Sequence, residues 1–320
     1  MATFGGADES DSSWICTHTF TGHTAWVRSL AFNPRTGLLV TGGGDRTVKL
    51  WSVPNRKLVT SLEGHTGWVR AVAMSRTGMQ VVSGSNDNMI RLWNTQSERL
   101  ITVLSGHTDS VRTVAFIPGD QAIASGGQDN TIRLWDLETQ TLRRTLVGHD
   151  HWVLSVAPNP RRPVLVSGSY DGRIGLWGLK QRQPLGFLEG HTEPVLSVAV
   201  SLDGRWIASG SGDRTIRIWD STTEACVLTL QGHHDAVNAV VFAPEGYLLA
   251  SASSDQTIKI WNLNQAKTIA TLSGHTQGVW SVAFGEDANT LFSGGWDATV
   301  RLWERSPTQY DQNDASNTEG

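Results

Sequence analysis

The dipeptide Gly-His recurs along this chain at one fixed interval, and nothing else in the sequence constrains the fold as tightly. It stands at Gly22-His23, Gly64-His65, Gly106-His107, Gly148-His149, Gly190-His191, Gly232-His233 and Gly274-His275, each 42 residues from the next. A tryptophan keeps the same interval: Trp51, Trp93, Trp135, Trp177, Trp219, Trp261 and Trp303. So do an aspartate (Asp45, Asp87, Asp129, Asp171, Asp213, Asp255, Asp297) and a small hydroxyl residue (Thr41, Ser83, Ser125, Ser167, Ser209, Ser251, Ser293), and no repeat carries an insertion. Such self-similarity marks a supersecondary unit that cannot bury its apolar face alone and stacks on copies of itself.

In the first period four segments read as strands: Val27–Phe32, Leu38–Thr41, Thr47–Trp51 and Lys57–Leu62. Apolar residues alternate, as in Thr47-Val48-Lys49-Leu50-Trp51, which argues against a helical solenoid. Gly42-Gly43-Gly44-Asp45, between the second and third segments, reads as a tight turn. Seven four-strand units predict an all-β fold: a seven-bladed β-propeller of four-stranded antiparallel blades. Cys16–Phe20 precedes the first repeat at the place of an outermost strand, and the last repeat ends on its third strand at Trp303. The N-terminal strand is therefore expected to complete the last blade, so that the closed ring has no open edge.

These motifs resemble those of the WD-repeat (tryptophan–aspartate) β-propellers over residues 15–304. Trp135-Asp136 and Trp219-Asp220 match the signature dipeptide, while the other five repeats vary at its second place, as in Trp51-Ser52. The resemblance implies a rigid adaptor without chemistry of its own. It also implies that His23, Thr41, Asp45 and Trp51, like His107, Ser125, Asp129 and Trp135, form a buried chain of hydrogen bonds from indole to hydroxyl to imidazole to carboxylate. The same residue types could build a charge-relay catalyst, but they occur seven times where an enzyme needs one site. No catalytic residue is assigned. His18, His151 and His234 are scattered without zinc-site spacing, and no glycine-rich phosphate loop precedes a helix, so no metal or cofactor is expected.

The net charge of −4 is concentrated at the ends: six of the 30 acidic residues and one of the 26 basic ones lie in the terminal segments. Residues 1–13 and 305–320 read as disordered polar tails. The propeller, 14–304, is near neutral, which disfavours direct binding of nucleic acid or anionic membrane. Cys16 and Cys226 fall at equivalent outer-strand positions of different blades, too far apart for a disulfide. Two cysteines, no secretory signal and no apolar run of about 18 residues point to a soluble, intracellular, cytoplasmic protein without membrane insertion.

Against so uniform a frame the deviations are informative. The first strand of each repeat places apolar residues at Val27, Leu30 and Phe32, and a gap of three followed by two signals a bulge that re-aims Arg28. The equivalents are Arg70, Arg112, Leu154, Leu196, Asn238 and Trp280. Two positions earlier stand Trp26, Trp68, Ser110, Trp152, Pro194, Ala236 and Gly278, and just before each turn aspartate stand Gly44, Asn86, Gln128, Tyr170, Gly212, Ser254 and Trp296. By resemblance these three classes ring the mouth of the channel on the top face. Trp26, Arg28, Trp68, Arg70, Arg112, Trp152, Tyr170, Trp280 and Trp296 then make an asymmetric arc rich in the residue types of interface hot spots. Such an arc suits proteins or peptide segments of acidic or aromatic character. The plainer alternative is that the arginines stack on neighbouring tryptophans or pair with carboxylates at blade seams.

Lys49, Arg91, Arg133, Arg217, Lys259 and Arg301 read as a solvated ring on the third strands. Pro158, Gly175 and Gly178 make blade four the irregular one, with a ladder donor lost at Pro158. The expected function is a non-catalytic protein–protein interaction scaffold, a monomeric propeller within a larger complex. The alternatives are an enzyme at the channel mouth or a subunit of a nucleic-acid-associated complex.

Overall fold

The computed structural model describes residues 13–306. The tails expected at 1–13 and 305–320 lie outside the described residues except at their inner ends, where Arg305 closes the strand Val300–Arg305 opposite Trp14 and the Ser306 N–H donates to the Ser13 carbonyl at 2.8 Å. Each repeat forms one four-stranded antiparallel sheet, and the seven sheets make a seven-bladed propeller. Blade one consists of Val27–Asn33, Leu38–Gly43, Val48–Ser52 and Lys57–Leu62, running from the channel outward. The last blade takes its outermost strand, Trp14–Phe20, from the N-terminus; it pairs with Val300–Arg305, Phe20 opposite Val300. The ring is closed in this way, as the strand count predicts.

The blades meet through a repeated close approach. Val27, Val69, Val111, Val153, Val195, Val237 and Val279 open the inner strands and are fully buried. Each presses on a small residue of the preceding blade. A β-carbon at Gly42, Gly84, Gly126, Gly168, Gly210 or Gly294 would lie 2.5–2.8 Å from the valine Cγ1. Ala252 holds this place in blade six. Strand glycines of this kind admit a neighbouring element that a side chain would push away. The glycine-rich stretches are thus largely strand, not turn as their composition implies. The left-handed residue of each turn lies one place beyond the aspartate, as at Arg46 (φ 67°) and Asn130 (φ 63°). Replacing Gly126 by valine is expected to destabilise the chain by about 3 kcal/mol through overpacking at the seam. A urea titration checks this; an unchanged midpoint would mean that the seam is not close-packed.

A second set of bonds crosses the seams inside the channel. Ser29 Oγ accepts the Val72 N–H at 3.0 Å, Thr113 Oγ1 that of Val156 at 3.1 Å, Ser155 Oγ that of Val198 at 3.1 Å, Ser197 Oγ that of Val240 at 3.1 Å, and Ser281 Oγ that of Leu30 at 3.0 Å. Ala71 and Ala239 stand at the two remaining equivalent places, which therefore have no hydroxyl to offer.

Blade four departs from expectation. Asn159 N–H donates to the Val164 carbonyl, so the neighbouring pair Pro158–Leu165 is a non-hydrogen-bonded one. The proline nitrogen faces away from the ladder, and no ladder bond is lost. The cation absent at Gly175 is supplied two residues earlier by Arg173, which bonds Asp171 at 3.2 Å and lies 4.4 Å over the Phe187 ring. The third-strand ring is not solvated either. Lys49 is buried, with Nζ donating to Ser61 at 2.7 Å, and Arg91 is ion-paired to Asp87 at 3.0 Å. Outer strands cover these stems: Arg133 lies 3.5 Å from Asp129, Lys259 Nζ donates to Thr271 at 3.0 Å, and Arg217 and Arg301 lie 4.0 Å from the sulfurs of Cys226 and Cys16.

Candidate binding surface at the top of the channel

Seven buried relays hold the loops of the top face. In blade one the Trp51 indole N–H donates to Thr41 Oγ1 at 2.8 Å, Thr41 lies 2.7 Å from His23 Nε2, and His23 Nδ1 lies 2.7 Å from Asp45. Asp45 also accepts the backbone N–H groups of Thr24 and Thr47. In blade three the corresponding distances are 2.8, 2.7 and 2.8 Å for Trp135, Ser125, His107 and Asp129. The indole can only donate, so the hydroxyl gives its own proton to the imidazole Nε2, and Nδ1–H faces the carboxylate. All seven hydroxyls are fully buried, and each is engaged on both sides. Each polar group satisfies the next, which is what a buried polar network requires. Burial alone would raise the pKa of each turn aspartate. The hydrogen bonds from histidine and from the turn N–H groups outweigh it and hold all seven carboxylates well below their usual range.

The relay anchors the Gly-His loop to the strand turn, and backbone bonds then set the variable residues side by side. Gly44 N–H donates to the Trp26 carbonyl at 2.9 Å, Asn86 to Trp68 at 2.9 Å, Tyr170 to Trp152 at 2.9 Å and Trp296 to Gly278 at 2.9 Å. The inner-strand register breaks between Val27 and Ser29, between Val69 and Ala71, and between Val111 and Thr113. Arg28, Arg70 and Arg112 are therefore the bulged residues.

The aromatic residues of blades seven, one and two form one continuous chain. Trp280 lies 5.5 Å from Trp296, Trp296 stacks on Trp26 at 5.9 Å, and Trp26 meets Trp68 edge-on at 5.6 Å. The arginines lie on these rings: Arg28 4.3 Å over Trp280, and Arg70 5.1 Å over Trp26 and 5.0 Å over Trp68. Trp68 and Trp296 remain 47% and 48% exposed, so the ledge presents ring surface to solvent. The stacking alternative thus holds for Arg28 and Arg70, whereas neither they nor Arg112 forms an ion pair within the described residues.

Trp152 and Tyr170 lie in a separate cluster on blade four, 5.2 Å apart. Sequence reasoning left out its third member, His151, which packs against Tyr170 at 4.6 Å and accepts the Trp152 N–H on Nδ1 at 2.8 Å. Its adjacency to Trp152 was the available signal. The inner hydroxyl ring was also missed, although its positions keep the 42-residue period. Among the described residues no group of three His, Cys, Asp or Glu could hold a metal ion, and Cys16 and Cys226 are free and exposed.

Fold and site together define a propeller with a rigid, internally bonded frame and one aromatic–cationic sector on its top face. The WD domain, G-beta repeat family matches residues 14–52, 56–94, 98–136, 140–178, 182–220, 224–262 and 266–304, and the chain belongs to it. Individual relatives match over one repeat or slightly more. Pleiotropic regulator 1 of Homo sapiens is 41% identical over 49 residues, 15% of this chain and 10% of that protein. Pre-mRNA-splicing factor prp46 of Emericella nidulans is 37% identical over 54 residues, 17% of this chain and 12% of that protein. Coatomer subunit beta'-2 of Oryza sativa subsp. japonica is 43% identical over 44 residues, 13% of this chain and 5% of that protein. The matches thus span about a tenth or less of each relative's length. Within the described residues no helix is long and apolar enough to cross a membrane.

Proposed function

We propose that the chain is a non-catalytic protein–protein interaction scaffold whose top face, over blades seven, one and two, receives a peptide segment of a partner protein. The observation that carries this reading is the continuous ledge Trp280–Trp296–Trp26–Trp68 with Arg70 lying on two of its rings. Isolated exposed aromatics need no explanation, but a contiguous exposed cluster does. Tryptophan and arginine dominate interface energetics because they bury large area on stiff frames. Rings beside guanidiniums favour a segment with aromatic and acidic side chains. The non-catalytic reading is supported by relays whose hydroxyls are all buried and bonded within the frame. The names of relatives, among them pre-mRNA-splicing factors and a coatomer subunit, support work inside a larger assembly. A nucleic-acid-associated complex is a second reading on the strength of the splicing names. The near-neutral propeller then favours protein contacts over nucleic acid within it.

The test is affinity capture from lysate of the source cell with the parent and with the double variant Trp68→Ala, Trp296→Ala, after both are shown to melt alike. A partner held by the parent and lost by the variant supports the reading. A partner held equally by both would overturn it.

A further inference from the structure

The seam between blades four and five is left unfilled at one place. A cross-strand row of blade four, Ala157, Val166, Leu176 and Gly186, has each member opposite the next, and Val166 and Leu176 pack against Ile207 and Trp219 of blade five. The outermost place of this row holds Thr60, Thr102, Arg144, Leu228, Ala270 and His18 in the other blades. Blade four alone ends it on a glycine. A β-carbon at Gly186 would meet nothing within 4 Å but Glu224 Oε2, at 3.6 Å. Blade five is short on the facing side as well. Ser221 stands where Val53, Leu137 and Leu179 pack against their own seam clusters, and its hydroxyl donates instead to the Gly204 carbonyl at 2.9 Å. The two coincide at a cavity of about 140 Å³ walled by Val164, Val166, Leu176, Leu185 and Ile207.

The cavity lies away from the tryptophan ledge. Arg162, on its lining, follows the inner strand Val153–Pro158, whose other end starts beside Trp152 on the top face. Charge around it is divided. On the side of blade four, loops 159–163 and 178–183 carry Arg161, Arg162, Lys180 and Arg182, all exposed, and no carboxylate. None of the four forms an ion pair among the described residues. Arg162 is held across the seam by its Nη2 donating to Thr222 Oγ1 at 3.0 Å, and Arg161 by its Nε donating to the Leu202 carbonyl at 3.1 Å. On the side of blade five the lining residue is Glu224, exposed and likewise without an ion pair among the described residues.

We infer that this seam is a second docking site, for a partner segment that sinks one aliphatic or phenyl side chain between blades four and five, with acidic residues toward blade four and a basic residue beside Glu224. An apolar void of about 150 Å³ stays dry and takes a benzene-sized group. Leaving such a void empty lowers stability, and Leu228 shows that the same place in the row accepts a leucine. A free apolar molecule gains nothing from the flanking charges, whereas a peptide chain carries its anchor between them. Complementary charge on either side of a buried anchor sets the direction of the segment across the seam. The site is independent of the top-face reading.

The test is a selection of short random peptides on the intact parent, with Gly186→Leu as counter-selection. The leucine fills the cavity, so this variant is expected to melt no lower than the parent; Ser221→Leu replaces it should it not fold. Peptides kept by the parent and rejected by the variant are expected to run from acidic residues through a leucine, isoleucine or phenylalanine to a basic residue. Alanine in place of that anchor is expected to weaken binding at least about tenfold. Arg162→Glu is expected to weaken it about as much, and Trp68→Ala with Trp296→Ala to leave it unchanged. If the tryptophan variant loses the selected peptides and Gly186→Leu keeps them, the top-face reading stands and the seam site is overturned. It is also overturned if no peptide separates the parent from Gly186→Leu, or if the selected peptides lack the anchor or the acidic flank. Two results would give the cavity a different occupant and overturn the inference equally: benzene raising the parent's melting temperature but not the variant's with no peptide selected, or a dimer of the parent that Gly186→Leu abolishes in sedimentation.

Discussion

Removal of residues 1–20 lowers the melting temperature by about 10 °C or more. Trp14–Phe20 is the outermost strand of the last blade, paired along Val300–Arg305. Phe20 is 3% exposed and sits in a core cluster with Val27, Leu30 and Trp51 of blade one and Phe292, Val300 and Leu302 of blade seven. The deletion therefore opens a cavity at the seam where first and last blades meet, and it bares the edge of Val300–Arg305. Loss of one buried phenylalanine costs about 3–5 kcal/mol. The lost ladder adds to this, and in a chain of this size each kcal/mol moves the melting temperature by about 2–4 °C. Differential scanning calorimetry of the parent and the truncated chain measures the shift. Unaltered melting would mean that the ring is not held by its N-terminal strand.

The second large effect is acid instability. The turn aspartates Asp45, Asp87, Asp129, Asp171, Asp213, Asp255 and Asp297 are held well below the ordinary carboxylate range by the relay histidines and turn N–H groups. A carboxylate whose folded pKa lies below its unfolded one contributes stability that is full above the unfolded value, about 3.9, and is lost as pH falls through the folded one. Each such group contributes on the order of 2 kcal/mol at neutral pH, and all seven lose it over the same range. Domains are stable by about 5–15 kcal/mol, so the propeller is expected to unfold in acid, with stability declining below about pH 5. His65 acts in the same direction from a higher pH. Burial lowers its pKa below the ordinary 6.5 against the pull of Asp87, so the unfolded chain takes up its proton first. Asp129→Asn isolates one relay. It is expected to cost about 1–3 kcal/mol at pH 7, and the difference from the parent narrows below about pH 4, where Asp129 takes up a proton in the unfolded chain while it is still ionised in the fold. Urea titrations at the two pH values check both parts. A variant as stable as the parent, or a deficit that does not change with pH, would refute the account of the relay.

The period made the frame legible. His23, Thr41, Asp45 and Trp51 repeat without insertion, so one reading of the first repeat serves for all seven, and the strand count alone gives the closure by Trp14–Phe20. The bulge at Arg28 was legible as well, because the gap between Val27 and Leu30 breaks the alternation of a strand. What stayed hidden depends on neighbours 42 residues away, which a single repeat does not display. Gly42 reads as a turn glycine until Val69 of the next blade is placed 2.5 Å from its would-be β-carbon. Lys49 reads as solvated until the outer strand brings Ser61 to within 2.7 Å of its Nζ. Arg28 reads as an outward contact until Trp280, from the far end of the chain, is found beneath its guanidinium. The aromatic arc was legible as a set of residues, but its division into a four-tryptophan ledge and a separate His151–Trp152–Tyr170 cluster was not, since that depends on ring placement across seams.

The central claim is that the tryptophan ledge is the surface on which a partner is held. Its most direct test is the dissociation constant of a captured partner's segment, measured by calorimetry for the parent and for the Trp68→Ala, Trp296→Ala variant. Two hot-spot tryptophans at about 2 kcal/mol each predict a weakening of at least about 100-fold, with the melting temperature preserved. Equal dissociation constants in two equally stable proteins would contradict the claim and move the binding surface away from the top of blades seven, one and two.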